Sequence, residues 1–113
     1  MNKREQGSHY ETMAAEYLKN KGYEIISQNF FSKNGEIDII AKDTDTLVFC
    51  EGKYRSNTRY GMPEEAVDYR KQDKIRKTAA YYLYRNNFPV ETRVRFDVVA
   101  VLGEKITHIE DAF

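Results

Sequence analysis

One cysteine, no long apolar run and no net charge are the first properties of this sequence. A lone cysteine cannot close an intramolecular disulfide, and Cys50 sits inside the apolar run LVFC, where a small buried thiol serves packing. No stretch approaches the roughly 20 apolar residues that a membrane helix requires. The opening MNKREQGSHYET lacks the apolar centre of a secretory signal. The expectation is a cytoplasmic protein with no membrane partner. The two histidines, His9 and His108, are too far apart and too isolated from Cys50 to suggest a zinc site. Lys plus Arg equal Asp plus Glu at 18 each, so overall charge does not announce a nucleic-acid binder.

What is present argues for a packed domain. The 113 residues are enough to enclose one hydrophobic core and too few for two, so residues 1–113 are read as a single domain. With 41% apolar residues, nine Tyr and six Phe, the chain can offset the entropy of ordering itself. Charge is also unevenly placed: residues 53–77 hold eight basic side chains against four acidic ones, a local basic surface within a neutral chain.

Periodicity orders the elements. Tyr10, Met13, Ala14, Tyr17 and Leu18 recur at helical spacing, which predicts a helix over residues 8–21 that Gly22 stops. Residues 23–31 are rich in aromatic and β-branched types, and Asn34-Gly35 is a hairpin signal into a second strand over 35–41. Asp43-Thr44-Asp45 turns the chain into a third strand over 46–54, followed by a loop through Ser56, Asn57, Thr58 and Gly61. Pro63, with Glu64 and Glu65 behind it, predicts the start of a long helix reaching Arg85. Strands over 93–102 and 105–109 close the chain around Gly103-Glu104, giving an α+β (α/β) order of αβββαββ.

Within these strands, charged groups stand where apolar ones would continue. By alternation in GEIDIIA, Ile37, Ile39 and Ala41 share one face, while Glu36, Asp38 and Ile40 share the other. In the next strand Leu47, Phe49, Glu51 and Lys53 share a face, so a line of large apolar residues ends in an acid and a lysine. A hairpin turning near residues 43–45 brings Asp38 level with Glu51. Opposed like charges destabilise a sheet unless something positive intervenes, and a divalent cation with oxygen ligands meets that need. The competing reading is a solvated sheet face on which Lys53 relieves repulsion as a weak surface pair.

The helices offer further polar groups. Val67, Ile75, Ala79, Tyr82 and Leu83 mark the apolar sector of the second helix, and Lys71 and Gln72 fall inside it. They either snorkel to water or line the same cleft as Asp38. Ser8-x-x-Glu11 reads as a capping box, which leaves Glu11 between a cap and the site. Asp97 alternates with Arg95 in RVRFDVVAV and is assigned to a structural pair with Arg93 or Arg95.

Taken together, Glu11 with AAEYL and the following GY, Asn29, GEIDIIA, LVFCEGKYR, Gly61, EEAV, Lys71-Gln72, RFDVV and ITHIEDAF span nearly the whole chain. In this combination the sequence resembles the YraN-like uncharacterised protein family of the restriction-endonuclease-like, PD-(D/E)xK nuclease superfamily. The resemblance implies an αβββαβ core with a mixed central sheet flanked by helices, and an active site made of Asp38, Glu51 and Lys53, often completed by Glu11. It also implies that the backbone carbonyl of Gly52, where relatives usually carry an apolar residue such as Val, contributes to a metal.

The expected chemistry is phosphodiester hydrolysis with Mg²⁺, or Mn²⁺ in its stead, held by Asp38, Glu51 and the Gly52 carbonyl. Glu11 and Glu36 are outer candidates, and Lys53 positions a water or balances charge. Arg55, Arg59, Lys71, Gln72 and Lys74 are expected to contact nucleic acid. The expected partner is DNA, branched or duplex by superfamily analogy, and a homodimer would let two sites cut paired strands. Two rivals retain the fold without catalysis: a nucleic-acid-binding module, and a protein-interaction scaffold suggested by the neutral charge and Tyr81-Tyr82-x-Tyr84.

Overall fold

Hydrophobic side chains appear on both faces of the central strands, so the sheet must be covered twice. A computed structural model, which describes residues 2–57, 59 and 67–113, resolves this with one helix on each side. The element order is α1 (Lys3–Asn20), β1 (Glu24–Ser32), β2 (Gly35–Asp43), β3 (Thr46–Arg55), α2 (Tyr69–Arg85), β4 (Arg93–Leu102) and β5 (Lys105–Ile109). The five strands form one mixed sheet in the order β1-β2-β3-β4-β5. Only β3 and β4 run parallel. A parallel pair cannot be joined by a tight turn, and α2 lies within the crossover between its strands. This is an α+β architecture containing the expected αβββαβ order.

One core forms between α1 and the sheet, where Ala14, Ala15 and Leu18 pack on Ile39, Ala41, Val48, Cys50 and Val99. Cys50 is buried there as a packing residue. The other core sets Ile75, Ala79 and Tyr82 of α2 against Ile37, Ile40, Leu47 and Phe49. Phe49 is its centre, stacked on Phe96 at 5.7 Å and met edge-on by Tyr82 at 5.9 Å. Burying each such side chain stabilises the fold by about 1.5–3 kcal/mol.

Several expectations are corrected. α1 begins five residues before Ser8, because Asn2 and Glu5 form the capping box, with the Glu5 amide donating to Asn2 Oδ1 at 2.9 Å. Ser8 is inside the helix, where its carbonyl accepts a bond from the Thr12 hydroxyl, so Glu11 caps nothing. Gly22 ends the helix as expected, at φ +97, with the Tyr23 amide donating to the Leu18 carbonyl. The first hairpin turns on Lys33-Asn34, with Ser32 paired to Gly35. Ile37 does not share the face of Ile39 and Ala41; it joins Ile40 in the α2-side core, so strict alternation fails around Asp38. α2 starts at Tyr69, with Asp68 accepting a bond from the Lys71 amide as N-cap. The start expected at Pro63, with Glu64, Glu65 and Gly61, lies outside the described residues. Among the described residues no helix is long and apolar enough to cross a membrane.

Asp97, assigned to a pair with Arg93 or Arg95, is the hub of a buried network through Arg95. Arg95 donates to both of its carboxylate oxygens, the Asp111 amide donates to Oδ1, and His108 Nε2 lies 2.7 Å from Oδ2. Lys21 Nζ, which can only donate, is 2.8 Å from His108 Nδ1, so the imidazole proton sits on Nε2 and points at Asp97. Burial pushes the Asp97 carboxyl up, but hydrogen bonds from His108, Arg95 and Asp111 outweigh it and hold it below the usual carboxylate range. The network ties the chain's last residues to the sheet. Asp97→Ala leaves the buried His108 ring and the Asp111 amide without their acceptor, while Arg95 keeps Asp43 and Glu110, and is expected to lower unfolding free energy by about 2–4 kcal/mol, measured by urea denaturation.

Candidate active site

β3 carries apolar residues down its α2-facing side through Leu47 and Phe49, and the next residue on that face is Glu51. Its side chain is only 5% exposed. β2 brings Asp38 beside it: the paired ladder between the two strands ends at Ile39–Cys50, and one further step in the same register sets Asp38 opposite Glu51. That step is not a backbone pair. The Gly52 amide donates instead to Asp38 Oδ2 at 2.7 Å. A strand residue sends its N–H and C=O to the same side, so the Gly52 carbonyl leaves from the strand edge that faces Asp38.

Glu51 is held in an environment hostile to its charge. Burial and the neighbouring Asp38 carboxylate push its pKa up to about 8, against the opposing pull of Lys71 and Lys53. Lys71, from α2, places Nζ 3.8 Å from Glu51 Oε1. Glu51 Oε2 is buried and has no hydrogen-bond partner. Glu36 is also raised, by burial first and then by Asp38 and Glu11, while Lys71 lowers it. The acids therefore sense one another, and Lys71 acts on both Glu51 and Glu36.

Glu11 reaches the cluster from α1. Asn29 Nδ2 donates to Glu11 Oε2 at 3.4 Å, from a residue at φ +56, a left-handed conformation that asparagine tolerates better than most side chains. The α1 side of Gly52 is occupied by the Tyr54 ring, which stacks on Tyr10 with centroids 5.5 Å apart. A Cβ on residue 52 would run into the Tyr54 hydroxyl and ring. Tyr54 OH is buried and, like Glu51 Oε2, has no hydrogen-bond partner. Burial and the charges of Asp38, Glu11 and Glu51 push its pKa up, so it stays a neutral donor.

The geometry thus unites Asp38, Glu51, Gly52 and Lys71, with Glu11, Glu36 and Lys53 around them. Lys53 is half-buried and acts on Glu51 more weakly than Lys71 does. Gln72 is not aimed at the acids: its amide donates to the Val67 carbonyl at 3.2 Å, closing the entry of α2. Lys74 is exposed on α2, where a Cβ on Gly35 of β2 would lie 3.8 Å from its own Cβ. Arg55 lines a cleft of about 440 Å³ with Gln6, Gly7, Tyr10 and Tyr54, and Arg59 is exposed. Tyr54 and Asn29 are the side chains that the sequence did not single out for roles here. A glycine two residues before a tyrosine on the same strand face is a signal for Tyr54, since the missing side chain leaves room for a ring.

Among the described residues, no three His, Cys, Asp or Glu side chains converge closely enough to enclose a metal ion. Two carboxylates and a backbone carbonyl suit an ion that keeps most of its waters, as Mg²⁺ does. The orphaned Glu51 oxygen leaves a buried lone pair unused.

Two outcomes follow from this arrangement. The folded chain holds the Glu51 proton more tightly than the unfolded chain, so its stability contribution is full below about pH 4.5 and is lost as pH rises to about 8. In chelator, Glu51→Gln is expected to remove this slope and to be more stable than wild type at pH 8.5 by about 2–4 kcal/mol, read from urea midpoints. Gly52→Ala forces Tyr54 off its seat and is expected to destabilise by about 1–3 kcal/mol, with much of the loss recovered when Tyr54→Ala is added.

Comparison with known proteins places the chain. The model of the Uncharacterised protein family UPF0102 matches residues 10–101. A UPF0102 protein of Lachnoclostridium phytofermentans is 49% identical over 113 residues, covering 100% of this chain and 96% of its own. Another, from Persephonella marina, is 45% identical over 107 residues, with 95% and 91% covered. A third, from Clostridioides difficile, is 45% identical over 115 residues, with 100% of each covered. With the family model matched across most of its length and relatives aligned end to end, the chain belongs to the UPF0102, or YraN-like, family.

Proposed function

We propose that the chain is a cytoplasmic, divalent-cation-dependent nuclease of the restriction-endonuclease-like superfamily, hydrolysing phosphodiester bonds of DNA, with branched or junction DNA as its preferred substrate. The observation that carries this reading is Glu51: a carboxylate 5% exposed, beside a second carboxylate, with one oxygen unpartnered. A carboxylate buried for stability alone would be fully paired. One left half-satisfied next to a like charge is a feature of sites that await a ligand.

In this reading Asp38, Glu51 and the Gly52 carbonyl hold Mg²⁺, which Mn²⁺ can replace. When bound, the ion polarises the scissile phosphate and lowers the pKa of a coordinated water. Lys71 and Lys53 bring positive charge to the cluster, where the phosphate and its developing charge would sit. Arg55, Arg59 and Lys74 extend that charge towards the phosphate backbone, and binding weakens as salt rises. Glu11, steadied by Asn29, and Glu36 stand at the periphery and orient waters. A homodimer would supply a second site for the opposite strand.

The experiment is direct. Wild type, Asp38→Ala and Lys53→Ala are incubated with linear, single-stranded, flapped and four-way DNA, with Mg²⁺, with Mn²⁺ and with chelator. Cleavage is expected only with cation, rising from pH 6 to pH 8 as Glu51 gives up its proton, and falling by about 100-fold or more in either variant. Equal cutting by all three proteins would point to a different active centre, and DNA binding undiminished in chelator with no cutting would make the chain a binding module.

A further inference from the structure

Two buried polar atoms among the described residues lack a hydrogen-bond partner, Glu51 Oε2 and Tyr54 OH. They belong to residues flanking the same glycine. Gly52 gives its amide to Asp38 on β2, while its α1 face is covered by the Tyr54 hydroxyl and ring. An unsatisfied phenol in the interior is unfavourable, and phenylalanine would fill the same space without that penalty. Tyr54 is nevertheless locked in this pose: its ring stacks on Tyr10 at 5.5 Å, and Gly52 has no side chain to displace it. Three carboxylates, those of Asp38, Glu11 and Glu51, lie close enough for their charges to act on it. A phenol hydroxyl can both donate and accept; among carboxylates its proton is the half that an oxygen ligand would take, and no acceptor meets it.

We propose that Tyr54 is a positioning residue of this site, its hydroxyl held over Gly52 as the hydrogen-bond donor to an oxygen ligand, a water or a phosphate oxygen, of the cation carried by Asp38 and Glu51. The inference rests on the reading of the site as a cation-dependent phosphodiesterase. It explains why residue 52 is glycine here, since any Cβ would remove the hydroxyl from its place. It also assigns the Tyr10 ring on α1 as the support that keeps the donor aimed.

The test compares wild type, Tyr54→Phe and Asp38→Asn. Phenylalanine keeps the ring, the stack on Tyr10 and the cover over Gly52, and removes only the donor. Mn²⁺ binding is read from the free-ion paramagnetic resonance signal, alone and with inorganic phosphate, and urea denaturation in chelator reports folding. Tyr54→Phe is expected to be at least as stable as wild type yet to bind Mn²⁺ about tenfold more weakly. Weakening with Mn²⁺ alone identifies a water as the acceptor; weakening only with phosphate present identifies a phosphate oxygen. Affinity within twofold of wild type in both conditions, with Asp38→Asn losing it, would overturn the role of Tyr54 and leave the cation site standing. Absence of Mn²⁺ binding by wild type would remove both.

Discussion

The hydrogen bond from the Gly52 amide to the Asp38 carboxylate is the contact on which the candidate site depends. It replaces the next rung of the β2–β3 ladder with a side chain, so two strands that pair normally through Ile39 and Cys50 part just beyond them. The backbone pair beyond Ile39–Cys50 is missing, and a side chain takes the Gly52 amide in its place. Glu51, carried into the gap by strand alternation, finds a like charge beside it and no complete set of partners.

The rest of the structure holds this gap open. Phe49, stacked on Phe96 and met by Tyr82, fixes β3 against α2, so Glu51 cannot turn to water. α2 brings Lys71 to 3.8 Å, near enough to temper the acids without pairing fully with either. α1, extended by its Asn2–Glu5 cap, carries Tyr10 and Glu11 over the opposite side of the strands. The buried ions of the molecule thus divide into two kinds. Asp97 is surrounded by donors and its charge is favoured, whereas Glu51 is under-coordinated and its charge is opposed. The first kind stabilises the fold. The second stores unfavourable energy that a ligand can release.

Much of the frame was legible beforehand because it follows from local rules. The bounds of β4 and β5, the stop at Gly22 and the pairing of Asp97 with Arg95 came from periodicity, turn chemistry and short-range charge. Misreadings arose where non-local packing decided. Ser8 resembles a cap only while the five helical residues before it go unnoticed, and those residues have no apolar stripe to announce them. Ile37 follows its contact with α2 rather than the alternation of its strand.

By itself the sequence determined the α+β order, the strands that carry Asp38, Glu51 and Lys53, and the two-residue spacing that keeps Glu51 in line with Phe49. These depend on residue type and on a period of two, which need no knowledge of what lies across the sheet. Only the tertiary structure decided that Asp38 would take the Gly52 amide, that Lys71 would approach Glu51 ahead of Lys53, and that Tyr54 would lie with an unused hydroxyl over a glycine. Those outcomes turn on where a ladder stops and which side chain fills a gap, and both are set by how helices from distant parts of the chain press on the sheet.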